Sequence, residues 1–351
     1  MADYGRPVQF GLFLSPRSDW IDNSYALAEI ADHALDFIAV QDHPYQRRFL
    51  DAWAFMSALL MRTERVRVGP DVANVPLRQP AAMAKMAASL HILSGGRVEL
   101  ALGAGAFWEP IVAMGGPRRS PKDAARALRE AVEVTRLMWS RKRAISYDGE
   151  FYHLKSLHPG PAPAHDMQVW LGVGGPKLLR YLGGHADSWI PSNSHFPPDK
   201  LPDMHSQIDA GAVEAGRDSR TVARVYNVFG RASDAPSDEP FGGTVEQWTD
   251  TLTTLLVETG MDSFIFFATQ DDDIETVGCG LPKMLTMPPR IPGGGGRVTT
   301  RRTPSNRFRP ERCRSGSIQR CLAGGLSWRA SRARDAEANT AGYRRYWPGP
   351  G

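Results

Sequence analysis

The 351-residue chain has three cysteines, Cys279, Cys313 and Cys321, and none before residue 279. The first 278 residues can therefore hold neither a disulfide framework nor a thiolate metal site. No run approaches the 18 apolar residues that a membrane span needs, and the opening MADYGRPVQF lacks both a basic start and an apolar signal core, so a cytoplasmic address is expected. There is no H-E-x-x-H and no histidine pair spaced for a metal on a strand, which argues against a metal hydrolase and leaves no metal site to expect. Without a G-x-S-x-G elbow, acyl transfer by a serine is equally poorly supported. Acidic residues are scarce at one end only. Residues 279–351 hold fifteen Lys+Arg against three Asp+Glu, a net +12, whereas the preceding residues hold 27 against 35, a net −8. The formal charge of +4 is the sum of two unlike parts and says nothing about the partners of the first.

What is present is a rhythm. At 42% hydrophobic and 23% charged residues the chain is globular, and strand-like runs alternate with helix-like ones. VQFGLFLS (8–15) precedes a helical pattern at 24–35, FIAVQDH (37–43) one at 50–63, and RVRVGPDVAN (65–74) one at 80–93. RVELALGAG (97–105) is followed by a helix over 120–139 opened by Ser120 and Pro121. AISYDGEFYHL (144–154) then interrupts, its Asp148-Gly149 pair reading as a hairpin. QVWLGVG (168–174), SWIPS (188–192), VARVYNVFG (222–230) and DSFIFFA (262–268) complete eight strands, with helices expected at 176–186, 198–216 and 244–260. Eight such units match an α/β fold of the parallel (β/α)8 TIM-barrel type, with a hairpin insertion after the fourth helix and an irregular C-terminal tail. An open sheet stays possible, but no G-x-G-x-x-G follows the first strand.

The domain reading is a barrel over 1–277 and a disordered, basic, Gly/Pro/Arg-rich tail over 278–351. Residues 279–351 contain 11 Gly and 8 Pro, composition that resists a packed core. The pattern fails after Asp273, where IETV (274–277) begins the expected eighth helix and the Gly and Pro that follow break it, which reads as a lost reading frame; resequencing across the junction checks it. A missing eighth helix would leave apolar surface uncovered and the barrel weak. The tail's charge alone specifies no nucleic acid.

Barrel enzymes place their chemistry at the carboxyl ends of the strands. Strand 2 ends in Gln41-Asp42-His43-Pro44-Tyr45, where a carboxylate beside an imidazole suits proton transfer, although a plain strand-end turn explains it too. Strand 3 ends in Gly69-Pro70-Asp71-Val72, a sequence expected to bulge against a bound ring or simply to leave the strand. After strand 4, Gly103, Ala104 and Gly105 leave room for a planar ligand or for close helix packing, and Phe107 and Trp108, with Tyr45, could wall an apolar pocket. Strand 5 ends in Gly174-Gly175-Pro176-Lys177 at a helix start, where free N–H groups and a lysine suit a phosphate.

Taken in order, AVQDHP (39–44), LDAWAFMSALLMRTERVRVG (50–69), LHILSGGRVELALGAGAFWEPIVAMGGPRR (90–119) and WLGVGGPKLLRYLGGHADSWIPS (170–192) resemble the luciferase-like monooxygenase superfamily, barrel oxidoreductases that use FMN or the deazaflavin coenzyme F420. The likeness runs from about residue 8 to 276. It implies a ring over the barrel mouth, its phosphate at Gly174, Gly175 and Pro176, the family's bulge at Asp71 and Val72, and Asp42-His43 beside the ring. On that likeness F420 is the expected cofactor, with FMN as the alternative, and His43 the catalytic proton donor or acceptor. The sugar-phosphate dehydrogenases of this superfamily carry a glutamate where this chain has Ala106, so a small apolar or aromatic substrate is expected. A homodimer is possible, and a cofactor-binding protein without turnover is the competing reading.

Overall fold

The computed structural model describes residues 5–267. They fall in the first of two units of the chain, Met1–Pro310; the second, Glu311–Gly351, lies outside them. The expectations for the eighth helix and for 278–351 therefore lie outside the described residues.

Eight parallel strands form the barrel: β1 (Gln9–Leu14), β2 (Phe37–Val40), β3 (Arg67–Pro70, resumed as Ala73–Asn74), β4 (Leu100–Gly103), β5 (Val169–Gly172), β6 (Ser188–Trp189), β7 (Ala223–Val228) and β8 (Ser263–Phe267). Register runs around the ring as Leu12 opposite Ile38, Ile38 opposite Val68, Ala73 opposite Leu102, Leu102 opposite Leu171 and Leu171 opposite Trp189. It continues with Ser188 opposite Ala223, Tyr226 opposite Phe264 and Phe264 opposite Phe10. Strand β3 completes the ring by changing partner along its length. Its first half lies on β2 and its second on β4, and Val68 adds a bridge to Val98, with Val68 N donating to Arg97 O at 2.8 Å.

Sidedness follows the two-residue period of the strands. Phe13, Phe37, Ala39, Ala101, Trp170, Ile190, Val225 and Ile265 fill the barrel interior as one cluster. Their neighbours Leu12, Ile38, Val68, Leu102, Leu171, Tyr226 and Phe264 face outward into the layer shared with the helices. Both faces are buried, which is why the strands read as continuous apolar runs.

The helices are α1 (Ile21–Ala34), α2 (Ala52–Arg62), α3 (Pro80–Leu93), α4 (Trp108–Ala113), α5 (Pro121–Trp139), α6 (Pro176–His185), α7 (Leu201–Glu214) and α8 (Val245–Thr254). Several start where the sequence supplies a cap. Asp51 accepts from Trp53 N and Ala54 N, Ser120 from Asp123 N, and Thr244 with Gln247 forms a reciprocal capping box. The expected hairpin pairs Ile145–Asp148 with His153–Leu157 in antiparallel fashion. Glu130 on α5 holds it down by accepting from the backbone N–H of Glu150, Phe151 and Tyr152. The six-residue α4 and the two-residue pairing of Arg231–Ala232 with Gly242–Gly243 are additions to the sequence reading. Among the described residues no helix is long and apolar enough to cross a membrane.

Candidate active site

The β2 strand delivers Gln41, Asp42 and His43 to the carboxyl rim, and its alternation sends Asp42 to the opposite side from the other two. Asp42 is 1% exposed and wholly engaged. Its Oδ1 accepts from Arg78 Nη2 at 2.9 Å, and its Oδ2 from Arg78 Nε and from Asn74 N at 3.0 Å each. Arg78 also donates to Asp51, the cap of α2, at 2.8 Å. Asp42 thus braces β2, the far half of β3 and α2 together, through a bidentate guanidinium pair.

His43 is half-buried and sits among polar and aromatic neighbours. Gln41 Nε2 lies 3.0 Å from its Nδ1, and Ser15 Oγ donates to Gln41 Oε1 at 2.7 Å. Tyr45 stacks on the ring at 5.4 Å and Phe107 meets it edge-on at the same separation. Burial pushes the imidazole down to about 4, against the weaker pull of the Asp42 charge, so the ring is neutral at pH 7. Burial likewise pushes the Tyr45 phenol up.

The bulge in β3 reaches across the mouth. The peptide between Asp71 and Val72 is cis. The Val72 side chain packs so closely on β4 and β5 that a Cβ added at Gly103 would come within 2.4 Å of it, and one at Gly172 within 3.0 Å. Gly103 therefore makes room for the bulge. Gly105 adopts φ +92 and packs on Pro76 and Trp108, so Trp108 turns back against its own segment while Phe107 faces His43. On the other side the Asn227 side chain of β7 hydrogen-bonds to Asp71. Three buried oxygens here, Asp71 Oδ2, Asn74 Oδ1 and Asn227 Oδ1, have no partner among the described residues. Burial pushes the Asp71 carboxyl up to about 7, with the Asn227 hydrogen bond acting in the other direction.

At the end of β5, Gly175 caps α6 through its backbone, and no side chain of the described residues caps that N-terminus. Space beside Gly175 is open, whereas Gly174 lies under the Phe196 ring, 2.1 Å from where a Cβ would stand. Pro176 and Lys177 are exposed, and the Lys177 carbonyl accepts from Arg129 at 3.2 Å. Ala104 is half-buried and packs against the outer core.

The structure thus brings His43, Tyr45, Phe107, Asp71, Val72 and Gly174 through Lys177 to one rim. Sequence reasoning missed Ser15, Gln41, Asn74, Arg78, Phe196 and Asn227. Only Gln41 carried a local signal, since residues two apart on a strand share a side. A cleft of about 500 Å³ lies at the opposite rim, lined by Arg136, Arg141, His165, Asp187 and Arg217 among others. Asp187 pairs there with Arg136 and Arg217, and the cleft holds none of the residues above. Among the described residues no group of three or more His, Cys, Asp or Glu could hold a metal ion.

Comparison with known proteins places this geometry in a lineage. The chain is 30% identical over 215 residues to an F420-dependent glucose-6-phosphate dehydrogenase of Gordonia bronchialis, covering 58% of this chain and 63% of that protein. It is 28% identical over 212 residues to a 5,10-methylenetetrahydromethanopterin reductase of Archaeoglobus fulgidus, covering 60% of each. The chain thus spans about three fifths of the length of these curated relatives. An F420-dependent secondary alcohol dehydrogenase solved with an F420-acetone adduct shares the fold, with a TM-score of 0.69 at 19% identity over 79% of this chain and 97% of that one. The family model for luciferase-like monooxygenases matches residues 8–238, from the first barrel strand to beyond the seventh, and the chain belongs to that family.

Proposed function

We propose that this chain is an F420-linked oxidoreductase that moves a hydride between the deazaflavin and a small apolar or aromatic alcohol or carbonyl compound. The observation that carries the reading is the set of three unpartnered buried oxygens on the bulge and on β7, at the same rim as a neutral His43. Buried polar atoms without partners call for a ligand that supplies them. The dione edge of a deazaflavin or flavin offers an imide N–H flanked by carbonyls. A neutral Asp71 carboxyl, which presents one donor and one acceptor side by side, complements that edge. The open helix start at Gly175 and Lys177 suits its phosphate. The residues therefore fit the group, and the relatives named for F420 favour it over FMN.

A bound deazaflavin supplies two-electron hydride chemistry at a ring carbon. Everything else falls to the chain. Asp71, Asn74 and Asn227 orient the ring edge. The Val72 side chain, wedged on Gly103 and Gly172, fixes the bulge that carries Asp71. Tyr45 and Phe107 pack around the imidazole, and His43 meets the substrate oxygen. The aromatic wall and Ala106, in place of an acid, favour an apolar substrate over a sugar phosphate.

Titration of the purified chain with F420 and with FMN, followed by fluorescence, ranks the two cofactors. Incubation of the F420-loaded protein with 2-propanol, cyclohexanol and 1-phenylethanol then tests turnover. Bleaching of the deazaflavin absorbance by one of these alcohols supports the proposal. A bound band that no alcohol or ketone alters supports a cofactor-binding protein without turnover.

A further inference from the structure

We propose that Ser15 and Gln41 are positioning residues that lock His43 into the tautomer with its proton on Nε2, so that the ring serves as a neutral hydrogen-bond donor to the substrate oxygen. The inference deepens the function proposed above and rests on His43 facing that oxygen.

The chain of contacts starts at the β1 and β2 ends. Gln41 N donates to Leu14 O at 3.0 Å, extending the ladder by one residue and holding Gln41 next to Ser15. The Ser15 hydroxyl donates to Gln41 Oε1, and an amide that accepts on its oxygen offers N–H from its other end. That end is Gln41 Nε2, 3.0 Å from His43 Nδ1. A ring nitrogen that accepts a hydrogen bond carries no proton, and a neutral imidazole has only one, so it resides on Nε2.

The surroundings give a cationic ring little support beyond the weak pull of the Asp42 charge. On its own strand, Asp42 has both oxygens committed to Arg78 and to Asn74 N. Arg78 and Asp51 are paired with each other as well, at 2.8 Å. Tyr45 covers one face, and Phe107, from the segment between β4 and α4, closes an edge. Protonating Nδ1 would set its N–H against the amide N–H, and relief would require the Gln41 amide to turn over and the Ser15 hydroxyl to rotate. Burial works the same way by disfavouring the imidazolium. The imidazole therefore keeps one charge state throughout. Its Nε2–H hydrogen-bonds to the substrate oxygen, and the proton that this oxygen gains or loses is exchanged with water.

Nitrogen NMR of the full chain labelled with 15N-histidine tests this without cofactor or substrate, so failure of the proposed activity would leave the result intact. The His43→Gln spectrum identifies the His43 signals by their loss. The expected result is a ring protonated on Nε2 alone, unchanged from pH 8 down to about pH 5. Gln41→Glu places a carboxylate at Nδ1, which should move the proton to Nδ1 and raise the titration midpoint by about one unit or more. Ser15→Ala, which frees the amide to turn over, should give a mixture of the two tautomers. A wild-type ring protonated on Nδ1, a wild-type midpoint near 6.5, or a Gln41→Glu spectrum identical to wild type would overturn the proposal.

Discussion

Asp71 shows what one buried side chain can impose. Its carboxyl is raised to about 7 by desolvation, while in the unfolded chain it titrates near the ordinary 3.8. The folded state therefore binds this proton more tightly than the unfolded state does. Its stabilising effect is fully present below about pH 4, falls away between 4 and 7, and is absent above 7. Since each unit corresponds to about 1.4 kcal/mol, the loss reaches a few kcal/mol. Asp71→Asn removes the titration and keeps the shape. It should unfold at nearly the same urea concentration as wild type at pH 4.5 and be more stable by about 1–3 kcal/mol at pH 8. A gap of equal size at both pH values would show that the carboxyl does not titrate in this window. The same proton bears on ligand binding, because a carboxylate repels the ring carbonyls that a carboxylic acid would meet as donor. The Kd for F420 should rise about tenfold from pH 6 to pH 8 in wild type and stay flat in Asp71→Asn, measured by fluorescence quenching. Adjacent residues can still part company. The Asp42-His43 dipeptide reads in sequence as one unit, but strand alternation sends the aspartate to Arg78 and the histidine to Gln41.

At the scale of elements, the bulge between the halves of β3 depends on glycines in other strands. A methyl at Gly103 would stand 2.4 Å from Val72 Cγ2, inside the closest approach real side chains make. Gly103→Ala should cost about 1–3 kcal/mol through overpacking and weaken F420 binding by shifting the bulge. Val72→Ala in the same chain vacates that space, so the double variant should recover much of the loss in urea unfolding. Simple additivity of the two costs would mean the contact is not the cause. Elements of this kind were legible where period and caps coincide. The eight strands, the hairpin around Asp148-Gly149 and the start of α5 at Ser120 all carry local signals. The six-residue α4 did not, because it is too short to show a period and contains Pro110. Gly69-Pro70 announced a break in β3, but nothing local could say that Val72 would land on Gly103 and Gly172, or Phe196 on Gly174. Those contacts join residues whose proximity the closed ring creates.

The molecule as a whole separates its tasks by depth. The candidate site occupies the carboxyl rim, and the interior of the barrel is plugged by apolar side chains from six of its strands and the residue after β6. Trp170 is the largest of them. It is 3% exposed, its ring centroid is 4.8 Å from that of Phe37, and its indole N–H donates to Gln168 Oε1 at 2.9 Å. Phe37 in turn supports the first half of β3, since a Cβ at Gly69 would come within 3.0 Å of its ring. The plug thus connects strands on opposite sides of the ring and carries the strand from which the bulge emerges. Trp170→Ala leaves a hole that a closed ring cannot collapse around, so it should cost about 3–5 kcal/mol. Val213, 72% exposed on α7, provides the control, and Val213→Ala should stay within about 0.5 kcal/mol of wild type. Urea unfolding followed by far-UV circular dichroism checks both. If the interior cluster holds the ring together as one cooperative unit, Trp170→Ala should lower the midpoint and leave the slope of the transition unchanged. A second transition, or a shift no larger than that of Val213→Ala, would mean that the outer layer beneath the helices holds the ring without the plug.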